Sequence, residues 1–445
     1  MKINNSDITL LCRVVDNYGD IGVVFRLAKA LSALLPDGGA GLRLIVDNLA
    51  SFAQLSPGVD VTKSLQEHCS WTVCQWDAAT EGRKMYAETP PLVILECFAC
   101  GRPEWLDDIL FDKQLQALRP KPVQIINLEY LTAEPYADEF HKLQSLTRSA
   151  QVRKVNFMPG FTDKTGGLIL DDEVPVLRDN AGESRRPAST GETGAAGNGA
   201  PKPSSVANAG ETDAAGNGAP KPNSLPGDSA HADTPFTVLV FSYERDFSTI
   251  ADALTIFTDN LRIFVAAGKS EEPFRSAWKM CADRAPKTEK APHHTSEAPT
   301  GNADLPEPET LPFLPQEEWD NLLYSTDFLF IRGEDSLSRA CLSGKPFVWH
   351  AYPQSEMYHL VKVRALLDRM KPFFTEENFR LISDYWLWYN GDETLTNHNY
   401  DSRAALIEIL SRYGEMRKSF FEFSKNLIKN GNLAEHLMTF IREIV

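Results

Sequence analysis

The loop Asp16-Asn17-Tyr18-Gly19-Asp20 sets two carboxylates four residues apart around an aromatic ring. Carboxylates in that arrangement can hold a cation or take a proton from a nucleophile. A second group of reactive types stands at Arg332-Gly333-Glu334-Asp335-Ser336, where a guanidinium, a glycine turn and a polar run lead into a helical apolar pattern. A guanidinium grips phosphate bidentately, and backbone N–H groups at a helix start point at the same anion. One group suits proton transfer; the other suits a phosphorylated ligand. Each also has a plain structural reading. Asp20 can be a helix N-cap with Asp16 as a turn residue, and the second group a capped core helix with a surface salt bridge. Capping explains one aspartate more readily than a whole loop with a tyrosine at its centre.

Both groups need strands and helices to aim them. Residues 8–15 (ITLLCRVV) read as a buried strand that delivers the first loop. A helix over about 21–35 follows, with Ile21, Val24, Leu27, Ala28, Leu31, Leu34 and Leu35 on one stripe. Carboxylates at the carboxyl end of a strand lie where open α/β sheets bind ligands. Further strands are expected at 42–46, 71–73, 92–95 and 123–127, alternating with helical segments such as 104–118. That alternation predicts a parallel sheet covered on both faces. The Gly- and Pro-rich run 158–167 reads as a loop that reaches toward a cleft.

A second α/β unit opens at 236–241 (FTVLVF), with a helix over about 246–257 and strands at 261–266 and 347–350 expected on either side of the opening strand. Residues 327–331 (DFLFI) make the strand before Arg332, and Leu337, Ala340 and Cys341 follow at helical spacing until Gly344 and Pro346 stop the helix. Phe241 and Tyr243, two apart at a strand end, project to one side. Such rings can sandwich a nucleobase or simply fill core. The segment 356–445 is helical and aromatic-rich, with Trp386, Trp388 and Tyr389 clustered and a last helix able to cross back onto the first unit.

A chain of 445 residues exceeds one ordinary core, so two domains are expected. The boundaries fall at 1–177, a low-complexity insert at 178–234, a second domain at 235–430 and a terminal helix at 431–445. Inside the insert GETGAAGNGAPKPSS, from Gly191, recurs as GETDAAGNGAPKPNS, from Gly210. Such composition buries too little apolar surface to offset its ordering entropy, which predicts a flexible linker. The polar stretch 285–310 reads similarly without a repeat. A net charge of −16 argues against nonspecific nucleic-acid binding. No apolar run reaches membrane-spanning length and the first residues lack a leader pattern, so the expected compartment is the cytoplasm, without a membrane partner. Seven cysteines read as reduced thiols. Cys69, Cys74, Cys97 and Cys100 can be read as metal-binding pairs, but the Cys69–Cys74 spacing is too wide and Cys97 ends a strand. Buried thiols are the better reading, and no metal is expected.

Two facing α/β units, an anion-binding helix in one and carboxylates in the other, fit a nucleotide-sugar transferase of the GT-B architecture. No G-x-G-x-x-G follows either opening strand, which lowers a dehydrogenase or epimerase. Five stretches sharpen the match: VVDNYGDIGVVFRLAKAL (14–31), FSYE (241–244), LPFLPQEEWDNLL (311–323), FIRGEDSLSRA (330–340) and FVWHAYPQ (347–354). In this order they resemble the EarP family of protein-arginine rhamnosyltransferases, which modify bacterial elongation factor P. The chain departs from that pattern by its repeat-bearing insert and the longer polar stretch before Leu311.

The resemblance implies inverting transfer of L-rhamnose from dTDP-β-L-rhamnose to one arginine of elongation factor P, aiding polyproline translation, with no cofactor. By the same resemblance Asp20 is the catalytic base, Asp16 stands beside it, and Asn17, Tyr18 and Gly19 line the sugar side. Phe241 and Tyr243 hold thymine and ribose, and Gln316 contacts the nucleotide. Arg332, Gly333, Glu334, Asp335, Ser336 and Tyr352 hold the diphosphate and its surroundings, with Glu334 a second required carboxylate. A carboxylate beside a diphosphate is a conflict that hydrogen bonding to a hydroxyl, or orientation of Arg332, resolves. The rival readings are a GT-B enzyme with another donor or a glycan acceptor, and a non-catalytic nucleotide-sugar-binding scaffold.

Overall fold

Runs of Leu, Ile, Val and Phe become the strands of two sheets in the computed structural model, which describes residues 8–14, 19–171, 174–175, 235–257, 260–284, 305–396 and 400–445. Asp16, Asn17, Tyr18, the duplicated insert at 178–234 and most of the polar stretch 285–310 lie outside these residues. The first sheet contains β1 (Ile8–Cys12), β2 (Arg43–Val46), β3 (Leu65–His68), β4 (Trp71–Gln75), β5 (Val93–Cys97), β6 (Val123–Leu128), β7 (Gln144–Ser145) and β8 (Val152–Phe157). Its order is β3-β4-β2-β1-β5-β6-β8-β7, parallel except for the two edge strands β3 and β7. The second contains β9 (Phe236–Val240), β10 (Leu261–Ala266), β11 (Glu309–Leu311), β12 (Phe328–Arg332) and β13 (Phe347–His350). It is parallel throughout, in the order β11-β10-β9-β12-β13.

Each sheet reverses its strand order beside its opening strand. The reversal lies between β1 and β5 in the first sheet and between β9 and β12 in the second. At such a switch point the connections leave toward opposite faces and open a crevice at the carboxyl edge. Four helices matter to that crevice: α1 (Gly19–Leu34), α2 (Gln316–Ser325), α3 (Glu334–Ser343) and α4 (Leu433–Ile444). Separate apolar clusters cover the two faces of the first sheet, as the strand–helix alternation predicts, and a third cluster forms the core of the second unit. Leu433, Ala434, Leu437, Met438 and Ile441 of α4 pack into the first unit's core, so the chain returns to the domain where it began. This is the GT-B arrangement.

Several elements differ from expectation for local reasons. The helix expected over 104–118 is two helices, Glu104–Phe111 and Lys113–Leu118. Asp112 between them is extended (φ −63, ψ 124), and its carboxylate caps the second helix by accepting from the Leu115 amide at 2.8 Å. Strands β3, β7, β8 and β11 were not anticipated. All four carry polar or charged residues; in β8 Arg153 and Lys154 interrupt the apolar signal of Val152, Val155 and Phe157. Strand β11 also gives structure to Glu309 and Thr310, at the end of the supposedly featureless polar stretch. The loop 158–167 packs beneath α4, with the Leu433 amide donating to the Leu168 carbonyl at 2.9 Å. Gly167 is required there, because its φ is 80 and a Cβ would come within 2.6 Å of the Gly431 carbonyl oxygen.

Candidate active site at the two switch points

Helix α1 starts at Gly19 beyond the carboxyl end of β1, and Asp20 stands in its first turn, 4% exposed. The carboxylate therefore sits within the helix rather than at its N-cap. The Tyr130 hydroxyl, just past the end of β6, donates to Asp20 Oδ1 at 3.2 Å. Burial first, then the charges of Asp20 and Glu334, push the Tyr130 hydroxyl above its ordinary pKa, so it remains a donor. Phe98 stacks on the Tyr130 ring, with centroids 4.5 Å apart and planes 19° apart. Phe98 follows β5 with a left-handed backbone (φ 61), a conformation uncommon for an aromatic residue. Strands β1, β5 and β6 thus deliver one carboxylate, one ring and one phenol to the same spot. Burial, with Asp20 adding to it, raises the Cys12 and Cys97 thiols well above the usual range and keeps them unreactive.

Across the cleft, β12 ends at Arg332 and Gly333 turns the chain into α3 with φ 76 and ψ 163. That backbone belongs to glycine; a Cβ there would meet nothing within 4 Å, so the constraint is torsional and not steric crowding. Gly333, at the N-cap of α3, has no side chain to cap the helix, and the helix start lines the cleft. The Arg332 guanidinium lies 4.8 Å from the Phe241 ring centroid and 4.7 Å from that of Tyr243. Phe241 in turn meets Trp319 edge-on at 4.8 Å. The two aromatics therefore steady a cation. Two buried polar atoms on this wall, Arg332 Nε and Gln316 Oε1, have no hydrogen-bond partner among the described residues. Orphaned buried atoms lining a cleft are the mark of a ligand that completes them.

The cleft has a volume of about 200 Å³ and is walled by both domains. Gly19, Gly22 and Leu55 face Phe241, Tyr243, Gln316 and the turn Arg332–Ser336. Glu334 lines this cleft and also a smaller crevice shared with Phe98 and Glu129, so it borders the Asp20 side. Asp335, its neighbour, lines both spaces too, but its carboxylate receives Arg26 Nε at 2.9 Å. Ser336 Oγ accepts from Trp319 Nε1 at 3.2 Å. Tyr352 is 58% exposed at the rim, its ring edge-on to Tyr243 at 5.5 Å. Among the described residues no group of three or more His, Cys, Asp or Glu side chains is placed to hold a metal ion. The site also contains residues that sequence reasoning passed over: Phe98, Tyr130, Trp319 and Arg26. For Tyr130 and Phe98 a signal existed, since both directly follow strands of a parallel sheet.

Tyr243 is supported from behind by His350, edge-on at 5.3 Å, and the His350 Nδ1 shares a 2.8 Å hydrogen bond with Ser242 Oγ. Burial above all, then nearby Arg245, His359 and Arg332, lowers the His350 pKa to about 3. The imidazole stays neutral in the fold but ionises in the unfolded chain below about pH 6.5. Unfolding therefore takes up protons between those values, and stability falls as pH drops through that window. His141, lowered to about 4 chiefly by burial, acts in the same direction. Melting curves from about pH 8 to pH 4 are expected to show a steady loss, flattened in His350→Gln. An unchanged acid slope in that variant rules His350 out as its source.

Comparison with known proteins identifies relatives across the whole fold. A family profile described as "Elongation-Factor P (EF-P) rhamnosyltransferase EarP" matches residues 8–209 and 211–442. A protein-arginine rhamnosyltransferase of Pseudomonas putida is 31% identical over 387 residues, covering 86% of each chain. One of Pseudomonas aeruginosa is 30% identical over 384 residues, again 86% of each. A solved structure described as "Structural basis for EarP-mediated arginine glycosylation of translation elongation factor EF-P" superposes over 98% of this chain and 99% of its own, with a TM-score of 0.50 and 19% identity.

Proposed function

The chain belongs to the EarP family of elongation factor P rhamnosyltransferases, and from that premise we propose that it transfers L-rhamnose from dTDP-β-L-rhamnose to an arginine of elongation factor P, with inversion. The observation that carries this reading is a buried carboxylate, next in sequence to the cleft-lining Gly19, and a ring-steadied guanidinium on the opposite wall of that cleft. A protonated guanidinium, with a pKa above about 12, is a poor nucleophile. Asp20, fixed through one oxygen by Tyr130, pairs with it, draws its positive charge to one side and takes a proton as the other nitrogen attacks. The new bond joins that nitrogen to the anomeric carbon while the bond from that carbon to the diphosphate oxygen breaks. A single in-line displacement of this kind inverts the sugar.

The departing dTDP gains negative charge, which Arg332 and the N-terminal turn of α3 stabilise. No step is assigned to a metal or cofactor. Phe241 and Tyr243 hold Arg332 against the diphosphate and offer their remaining surfaces to thymine and ribose; Gln316 Oε1 accepts from the nucleotide. Glu334, bordering the crevice with Phe98 and Glu129, serves the acceptor guanidinium or a sugar hydroxyl, which removes its conflict with the diphosphate. Asp16, Asn17 and Tyr18 complete the sugar side in this reading, and the acceptor sets the cytoplasm as the place of work and polyproline translation as the beneficiary. Among the described residues no helix is long and apolar enough to cross a membrane.

Purified elongation factor P incubated with this protein and dTDP-L-rhamnose is expected to gain one deoxyhexose on an arginine, read by intact and peptide mass spectrometry. Unmodified acceptor with the donor intact overturns the assignment. Modification only with a different nucleotide sugar keeps the architecture and replaces the donor.

A further inference from the structure

Helix α1 has two dissimilar faces. Ile21, Val24, Leu27, Ala28 and Leu31 sink into its own domain, while Gly22, Arg26 and Lys29, spaced i, i+4 and i+7, meet the second domain through polar contacts. The Gly22 carbonyl accepts from Gln316 Nε2 at 2.8 Å, and Lys29 Nζ donates to Glu317 at 2.8 Å. Between them Arg26, 5% exposed, donates to Asp320 at 2.5 and 2.9 Å and to both oxygens of Asp335 at 2.9 Å. Its remaining contact, to Asp171 at 3.4 Å, is shared with Arg339, which reaches Asp171 at 2.9 Å. Two guanidinium groups thus bind three carboxylates at the junction of the domains. Burial opposes the Arg26 charge, but Asp335 and Asp320 more than restore it.

Stability alone does not account for such a cluster. Apolar residues of similar volume commonly replace a buried ion network with no loss, because desolvating the charges offsets most of their attraction. What a polar junction permits and an apolar one resists is separation into water. Asp171 is 29% exposed, so solvent already touches one edge of the network. The geometry also ties the junction to the chemistry. Arg26 lies six residues beyond Asp20 on one rigid helix, roughly 9 Å along its axis, and Asp335 directly follows Glu334.

We propose that Arg26 is a positioning residue whose bidentate grip on Asp320 and Asp335 holds the two domains in the reactive arrangement and releases when they part. This rests on the reading of Asp20 and Glu334 above. Arginine is required because its planar fork reaches two carboxylates at once; lysine keeps the charge but not the register.

The test combines small-angle X-ray scattering, dTDP titration and turnover on Arg26→Met, Arg26→Lys and Asp320→Asn. In Arg26→Met the radius of gyration with dTDP bound should exceed the wild-type value. Turnover at saturating donor should fall by about tenfold or more, while dTDP affinity, set by the second domain, stays within about twofold. Arg26→Lys should recover part of both losses, and Asp320→Asn, a milder change, should move scattering and turnover the same way if Arg26→Met fails to fold. A lower melting temperature with unchanged scattering and turnover in the folded protein overturns the proposal. Scattering is read without any acceptor, so a protein that leaves elongation factor P unmodified yet opens on losing Arg26 refutes the activity and retains the lock.

Discussion

Asp20→Asn is expected to lower turnover by about 10²-fold or more, the scale of a lost general base, with fold and dTDP affinity retained. The amide matches the carboxylate in shape, and its oxygen still accepts from Tyr130, so the 3.2 Å contact survives. What disappears is the negative charge that pairs with the acceptor guanidinium and the site that takes its proton. Nucleotide binding should not change, because the residues assigned to the nucleotide stand on the opposite wall. Single-turnover measurements with saturating dTDP-L-rhamnose and elongation factor P separate this from a binding defect. A near-normal rate shows that the carboxylate serves only the first turn of α1.

The first-domain wall of this cleft was less legible than the second-domain wall, and the reason is visible in particular residues. Apolar runs announced β1, β5, β6, β9, β12 and β13 but not their order: β12, and not the expected β13, lies beside β9, and that pairing makes the second switch point. Arg26 illustrates what local pattern omits. It sits between Phe25 and Leu27 in a helix whose spacing places it off the apolar stripe, where solvent is the default expectation. It is buried because Asp320 and Asp335, 294 and 309 residues away, come to meet it. Glu334 and Asp335 show the same limit at finer scale. Adjacent acidic residues in a first helical turn look equivalent in sequence, yet the Glu334 charge acts on Tyr130, the partner of Asp20, while Arg26 holds the Asp335 carboxylate at the domain junction. Tyr130 and Phe98 carry no motif; only the parallel arrangement of β5 and β6 makes them neighbours. Charged residues hid β8, and a single capping aspartate, Asp112, split a helix that periodicity had joined.

Arg332→Ala is expected to weaken dTDP by about 10- to 100-fold, since charge-assisted hydrogen bonds contribute about 1.5–3 kcal/mol and each 1.4 kcal/mol is about a factor of ten. The affinity that remains should depend less on salt than in the wild-type protein, because a charge facing the diphosphate has gone. Phe241→Ala removes a ring 4.8 Å from that guanidinium, and with it stacking of about 1–3 kcal/mol by analogy with other base–aromatic contacts. Tyr243 still steadies Arg332 from 4.7 Å, so the salt dependence of this second variant should stay close to normal. The two residues thus fail in different ways although they touch. A role confined to the core predicts another outcome: melting temperature falls with the lost packing while the folded fraction binds dTDP as before. Calorimetric titration of dTDP at low and high salt, with melting curves alongside, distinguishes these cases. Unchanged affinity in both folded variants removes the nucleotide from this wall of the cleft.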